Sequence, residues 1–223
     1  MAIKIVCWDL GGIMIELDRR GAALKIARGS RRFSSDELCA LFTPQVPPVE
    51  FWEIVNWFDE ASDPNASDYD FYLRMADFFE LDYKKINFIK FREIWRSLIY
   101  LLPETVDLAQ RLVGVRQGII SNLNRIHQRM IFTIIPRELF DIAIFSCVEQ
   151  VMKPDPLIYE RARRTANVRF EEMLFIDDKK ENLEAATKLG MNVFHFDPKL
   201  PVQMRVRRLE SHMRQLGIQI QSH

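Results

Sequence analysis

The stretch Ile3-Lys4-Ile5-Val6-Cys7-Trp8-Asp9-Leu10-Gly11-Gly12-Ile13 decides the fold. Ile3 to Trp8 is a short apolar run closed by a turn signal, the pattern of a buried strand. An aspartate at the carboxyl end of a first strand, followed at once by two glycines, is an unusual place for a charge. In an open α/β sheet that position faces the ligand crevice. Taken alone, Asp9 also suits a solvated turn. What separates the two readings is whether other polar groups recur in the same setting.

Outward from that strand, the chain divides by texture. Residues 19–95 show helical periodicity and aromatics and no convincing strand. Ser34-Ser35-Asp36-Glu37 offers a capping box before Leu38, Leu41 and Phe42. Phe51, Ile54, Val55 and Phe58 form a helical stripe after Pro47-Pro48, and Asp63-Pro64-Asn65 reads as a turn. Ser67 can cap a next helix with Leu73, Ala76 and Phe79 on its apolar side. Ile86, Ile89, Phe91, Ile94 and Leu98 predict a further helix. Beyond Pro103 helix and strand alternate. Helices are expected over 108–113, 156–165 and 181–189, and strands over 118–120, 142–145, 173–176 and 193–196. That alternation predicts a doubly wound parallel sheet of Rossmann-like α/β class.

With 223 residues, 48% hydrophobic and 28% charged, the chain has material for a sizeable core. Lys plus Arg equals Asp plus Glu at 31 each. No global field therefore argues for nucleic acid or for an anionic membrane surface. No apolar run approaches the ~20 residues of a membrane span. The first residues run directly into a strand, without the basic region and cleavage pattern of a secretory signal. Cys7, Cys39 and Cys147 are scattered and odd in number, form no metal-spacing motif and fit a reducing cytoplasm. A cytoplasmic protein without nucleic-acid or membrane partners is the expectation.

The polar groups fall on the predicted sheet in a consistent way. Asp9 follows the first strand and Ser121-Asn122 the second. Lys153 lies in the loop after the strand ending at Phe145. Asp177-Asp178 follows Met173-Leu174-Phe175-Ile176. Each sits at a carboxyl end, where open α/β sheets build their sites. Each also has a plain structural reading: Ser121 capping a turn, Lys153 solvated, the two aspartates opening a helix. Four such placements together argue for a site. Acidic pairs beside Asp9 repel unless a cation neutralises them, and hard oxygen donors suit Mg²⁺. An ammonium and a hydroxyl nearby suit a phosphoryl group.

These residues, in order from Asp9 to Gly190, are those in which the chain resembles the haloacid dehalogenase-like hydrolase superfamily. The segments are Asp9-Leu10-Gly11-Gly12-Ile13, Ile119-Ile120-Ser121-Asn122, Lys153-Pro154-Asp155, and Leu174-Phe175-Ile176-Asp177-Asp178 with Asn182. Ser121 through His127 and Phe175 through Ala186 are most similar to its bacterial α-D-glucose-1-phosphate phosphatase type. The resemblance implies a Rossmann-like core, residues 1–18 and 96–223, and an inserted helical cap of the C1 type, residues 19–95. It implies Asp9 as nucleophile, forming an aspartyl-phosphate, with Mg²⁺ held by Asp9, the Gly11 carbonyl and Asp178, and Asp177 as a water-mediated ligand or an orienter of Lys153. Ser121, Asn122, Lys153 and the amides of Leu10 and Gly11 would hold the phosphoryl oxygens. A Mg²⁺-dependent phosphatase of a small phosphorylated metabolite, with a sugar phosphate favoured, is the expected activity.

The chain departs from the superfamily at Gly11, where many of its phosphatases carry an aspartate that protonates the leaving group. Glu16, Asp18 and His127 are the candidates to replace it. Two alternatives follow from the gap. One is a dehalogenase-like hydrolase, which needs neither a proton donor nor a metal. The other is a degenerate member that binds a phosphorylated ligand or a protein. The cap aromatics Phe51, Trp52, Trp57, Phe58, Tyr69, Phe71, Tyr72, Phe78, Phe79 and Trp95 are expected mainly in a helix-bundle core, with one or two at a substrate entrance. Arg74, Arg92 and Arg96 are expected on the surface. Val202, Val206, Leu209, Met213 and Leu216 predict an amphipathic tail helix, with Arg205, Arg207, Arg208 and Arg214 elsewhere on it. It docks on the sheet or serves a partner; monomer and homodimer stay open.

Overall fold

The computed structural model describes residues 2–41, 49–60 and 67–222. The chain opens with strand β1 (Ile5–Trp8) and the short β2 (Ile15–Leu17). Helices α1 (Arg19–Ala27), α2 (Ser35–Leu41), α3 (Val49–Glu60), α4 (Asp68–Phe78) and α5 (Phe88–Arg96) follow. Strand β3 (Ile99–Leu101) returns the chain, then come α6 (Pro103–Gln110), β4 (Leu112–Val113), β5 (Arg116–Ser121) and α7 (Arg125–Gln128). The last third runs β6 (Ile142–Phe145), α8 (Ser146–Glu149), α9 (Pro156–Ala166), β7 (Met173–Asp177), α10 (Lys180–Lys188), β8 (Asn192–His195), α11 (Val202–Gln215) and β9 (Gln219–Ile220).

The central sheet has strand order β6-β5-β1-β7-β8, all parallel. Both its faces are covered, and the period-2 alternation of β1 shows how. Val6 and Trp8 belong to one core with Leu108 and Ala109 of α6 and Val206, Leu209 and Met213 of α11. Ile5 and Cys7 belong to a second core with Ile158, Tyr159 and Ala162 of α9 and Leu183 and Ala186 of α10. The order reverses at β1, so the carboxyl ends of β1, β5 and β7 border one crevice.

Helices α1 to α5 are inserted between β2 and β3, which pair antiparallel with Ile15 opposite Leu101 and Leu17 opposite Ile99. Helices α2 and α4 begin at the caps the sequence predicts, whereas Ile86, expected in the next helix, lies before α5. Ser34 and Glu37 form the capping box, with Ser34 N donating to Glu37 Oε2 at 2.8 Å. Ser67 and Asp70 form another. Phe51, Phe58, Phe71, Tyr72, Phe78, Phe79 and Trp95 are buried, and Phe58 stacks on Phe71 with centroids 4.1 Å apart. The aromatic run is therefore mainly bundle core. Arg74 and Arg96 are exposed, and Arg92 is half-buried over the Phe88 ring. Phe42, Pro47-Pro48, Asp63-Pro64-Asn65 and the side chain of Trp52 lie outside the described residues.

Several local expectations change. The helix expected over 108–113 ends at Gln110, and Leu112–Val113 is a strand paired antiparallel with Gln219–Ile220. Leu73 and Ile89 are exposed, so the buried faces of α4 and α5 are narrower than their apolar patterns imply. Helix α5 ends at Arg96, and Leu98 is buried in the turn before β3. No described helix is long and apolar enough to cross a membrane.

Candidate active site

Strand β1 delivers Asp9 to the crevice, where its amide donates to the Ile176 carbonyl of β7 at 2.9 Å. The chain then curls tightly, and Leu10 O accepts from the amides of Ile13, Met14 and Ile15. Glycine at position 12 is required twice. Its φ is +73°, in the left-handed region, and a Cβ there would lie 2.9 Å from Asp178 Oδ2. At Gly11 a Cβ would meet nothing within 4 Å, so position 11 faces open space.

The structure brings Asp9, Lys153, Asp177 and Asp178 together. Lys153 Nζ lies 2.8 Å from Asp9 Oδ1 and 2.7 Å from Asp177 Oδ2, and 5.2 Å from the centroid of the Phe175 ring. Lys153 is 2% exposed, Asp9 7% and Asp177 0%. An ammonium this deeply placed is tolerable because two carboxylates face it. Burial alone would lower the Lys153 pKa, but Asp9 and Asp177 outweigh it and hold it above the usual value. Burial raises the Asp9 carboxyl above its usual range; Lys153 and Ser121 oppose the rise, while Asp177 adds to it. Ser121, at the end of β5, is buried beside that carboxylate.

Both oxygens of Asp177 already have protein donors. Oδ1 accepts from Lys179 N at 2.8 Å, Oδ2 accepts from Lys153, and Asn182 Nδ2 reaches both at 3.1 and 3.0 Å. Asp178 differs. It is half-buried, and burial together with the charges of Asp9 and Asp177 pushes it up to about 7. Carboxylate oxygens of the three aspartates lie within 4.8 Å of one another. Three carboxylates against one ammonium leave excess negative charge on hard oxygen donors, a set that fits a divalent cation such as Mg²⁺.

Asn122 serves the site indirectly. Its amide accepts from Lys153 N at 2.8 Å and donates to Lys153 O at 2.9 Å, so its side chain braces Lys153. The three candidate proton donors are committed to local partners. Asp18 caps α1 by accepting from Gly21 N, and Glu16 Oε1 accepts from Leu17 N. His127 is buried, with Nε2 2.8 Å from Trp95 O and Nδ1 3.0 Å from Asn124 Nδ2. A carbonyl only accepts, so Nε2 carries the proton, and burial lowers this histidine to about 4.

Sequence reasoning missed two neighbours of the cluster. His195 of β8 donates from Nε2 to Asp178 O at 3.1 Å, and Arg205 of α11 donates from Nη1 to Gly12 O at 3.1 Å. The signal for Arg205 was its phase. It lies three residues after Val202 and four before Leu209, on the apolar side of α11.

Comparisons with known proteins agree with this geometry. The profile of the haloacid dehalogenase-like hydrolases matches residues 3–190. Mouse acyl-CoA dehydrogenase family member 10 is 29% identical over 87 residues, 39% of this chain, which spans only 8% of that longer protein. Glyceraldehyde 3-phosphate phosphatase of Pyrococcus abyssi is 23% identical over 199 residues, 87% of this chain and 81% of that protein. A HAD family enzyme from Bacteroides thetaiotaomicron, solved with magnesium and inorganic phosphate, superposes with a TM-score of 0.70 at 20% identity. That match covers 87% of this chain and 94% of the other. The parallel sheet, the strand-end cluster and a profile spanning most of the sequence agree, and the chain belongs to the haloacid dehalogenase-like hydrolases.

Proposed function

We propose that this hydrolase is a Mg²⁺-dependent phosphatase of small phosphorylated metabolites, acting through an aspartyl-phosphate on Asp9. The observation that carries the reading is the Lys153 ammonium bridging Asp9 and Asp177, with the half-buried Asp178 beside them. In this reading Asp9, the Gly11 carbonyl and Asp178 hold Mg²⁺. Asp177, saturated by protein donors, orients Lys153. When bound, Mg²⁺ neutralises charge shared by the carboxylates and the phosphoryl oxygens.

Asp9 attacks phosphorus as the bond to the leaving oxygen breaks, and water then attacks the same phosphorus to release phosphate and restore Asp9. Lys153 keeps Asp9 anionic and balances the phosphoryl group, and Ser121 donates to a phosphoryl oxygen. The cap expected over residues 19–95, helices α1 to α5 with α5 running on to Arg96, excludes water and selects the substrate. Position 11 supplies no proton to the leaving oxygen. Substrates whose leaving groups are already stable, anomeric sugar phosphates and aryl phosphates, depend least on that proton. This favours a sugar phosphate. The Pyrococcus relative, a phosphatase by name, and the Bacteroides structure with magnesium and phosphate support the reading.

A dehalogenase would use the same Asp9 without a metal, since halide leaves unprotonated. The crowding of three carboxylates favours the phosphatase. The test is phosphate release across sugar, nucleotide, alkyl and aryl phosphates, with and without Mg²⁺, with Asp9→Asn as control. Turnover requiring both Mg²⁺ and Asp9 supports the reading. Halide release from 2-haloacids without metal, or Mg²⁺-dependent phosphate binding with no turnover, contradicts it.

A further inference from the structure

Helix α11 carries arginines at 205, 207, 208 and 214. Arg207, Arg208 and Arg214 are exposed. Arg205 is turned inward. Its guanidinium lies 5.0 Å from the centroid of the Phe196 ring, and Nη1 donates to Gly12 O. Its Nε is buried without a hydrogen-bond partner among the described residues. A solubilising arginine would not leave a donor buried and unpaired. The atom it reaches belongs to Gly12, where a Cβ would lie 2.9 Å from Asp178 Oδ2. His195 in turn donates to Asp178 O. Both holds come from beyond residue 190, where the family profile stops. The two loops that carry Asp9 and Asp178 are thus tied from outside the motifs, each through a backbone carbonyl.

We propose that Arg205 is a positioning residue of the site. It fixes the turn after Asp9 against Asp178 and so sets the affinity of the carboxylate cluster for a divalent cation. The inference rests on the reading of Asp9 and Asp178 as cation ligands. Among the described residues Arg205 pairs with no carboxylate; it acts through Gly12.

The test compares wild type, Arg205→Met and Arg205→Lys in the full chain. Methionine keeps an apolar stem against Phe196 and removes the donors, whereas lysine restores one. Amide hydrogen exchange over residues 10–15 is measured without metal, and Mg²⁺ binding by calorimetry. Neither readout needs turnover. In Arg205→Met, exchange over residues 10–15 is expected to rise about tenfold or more with α11 and the sheet unchanged. The Mg²⁺ dissociation constant is expected to rise about tenfold, with lysine recovering part of both. Unchanged loop exchange, or unchanged Mg²⁺ affinity, overturns the inference. So does a rise in exchange spread evenly over α11 and the sheet, which marks general packing. A wild type that binds no Mg²⁺ instead fails the reading on which the inference rests, and the two failures are told apart by the wild-type titration.

Discussion

Gly11 and Gly12 are adjacent and opposite in what they tolerate. A side chain at Gly12 meets both a left-handed backbone and the Asp178 carboxylate, whereas one at Gly11 meets nothing within 4 Å. Gly11→Asp is therefore expected to fold like the wild type and to place a proton donor beside the leaving oxygen. General acid catalysis typically supplies ~10²–10⁴-fold. Alkyl phosphate hydrolysis should rise at least about tenfold, while aryl phosphate hydrolysis changes little. Steady-state rates on the two substrate classes check this. A folded variant with both rates raised equally, or neither raised, argues that the leaving group is protonated from elsewhere. At this scale the sequence was most legible where a polar residue ends an apolar run, as at Asp9, Ser121 and Asp177. The role of Arg205 was hidden because its partner is a carbonyl 193 positions away. The commitment of the Asn122 side chain to the Lys153 backbone was hidden for the same reason.

Among the elements, α7 and α11 carry distinct loads. His127 of α7 sits against Trp95 of α5 as a neutral ring, and its pKa falls from an ordinary 6.5 to about 4. A histidine lowered by burial adds stability that is complete above pH 6.5 and is lost as pH falls through about 4. The full loss is about 3 kcal/mol at one unit per 1.36 kcal/mol. Urea unfolding of wild type and His127→Gln from pH 7 to pH 4 reads it. The wild type should lose more stability than the variant over that window, and parallel curves would contradict the assignment.

Helix α11 buries Val206, Leu209 and Met213. Each is worth roughly 1.5–3 kcal/mol against exposure. Arg111 adds a tie by pairing with Glu210 and accepting from Gln221 N. Truncation after Leu200 thus forfeits a large part of the ~5–15 kcal/mol typical of a domain. Loss of a cooperative thermal transition is expected. A truncated chain that melts like the full one would show that α11 is not integral. Docking of the tail was legible from its apolar spacing. The strand Leu112–Val113 was not, because its partner, Gln219–Ile220, lies beyond any local window, and the apolar pattern from Leu108 continues a helical phase. Nor were the three-residue strands Ile15–Leu17 and Ile99–Leu101, which are too short to show a period.

For the whole molecule, the parallel sheet sets the site, and the helices inserted between β2 and β3 are proposed as its cap. Motifs from four separate stretches converge because β1, β5 and β7 are neighbours with their carboxyl ends together. Lys153 then joins the aspartates from the loop after α8. The convergence was foreseeable from the alternation of strands and helices. The distances were not, nor was the crowding that lifts Asp178 to about 7.

In the proposed reaction Asp9 becomes phosphorylated. The most direct test is rapid acid quench of the enzyme mixed with an aryl phosphate and Mg²⁺, followed by peptide mass analysis. One phosphoryl group is expected on the peptide containing Asp9, absent without Mg²⁺ and absent in Asp9→Asn. Turnover with no label on that peptide at any quench time, or an equal label in Asp9→Asn, would contradict it.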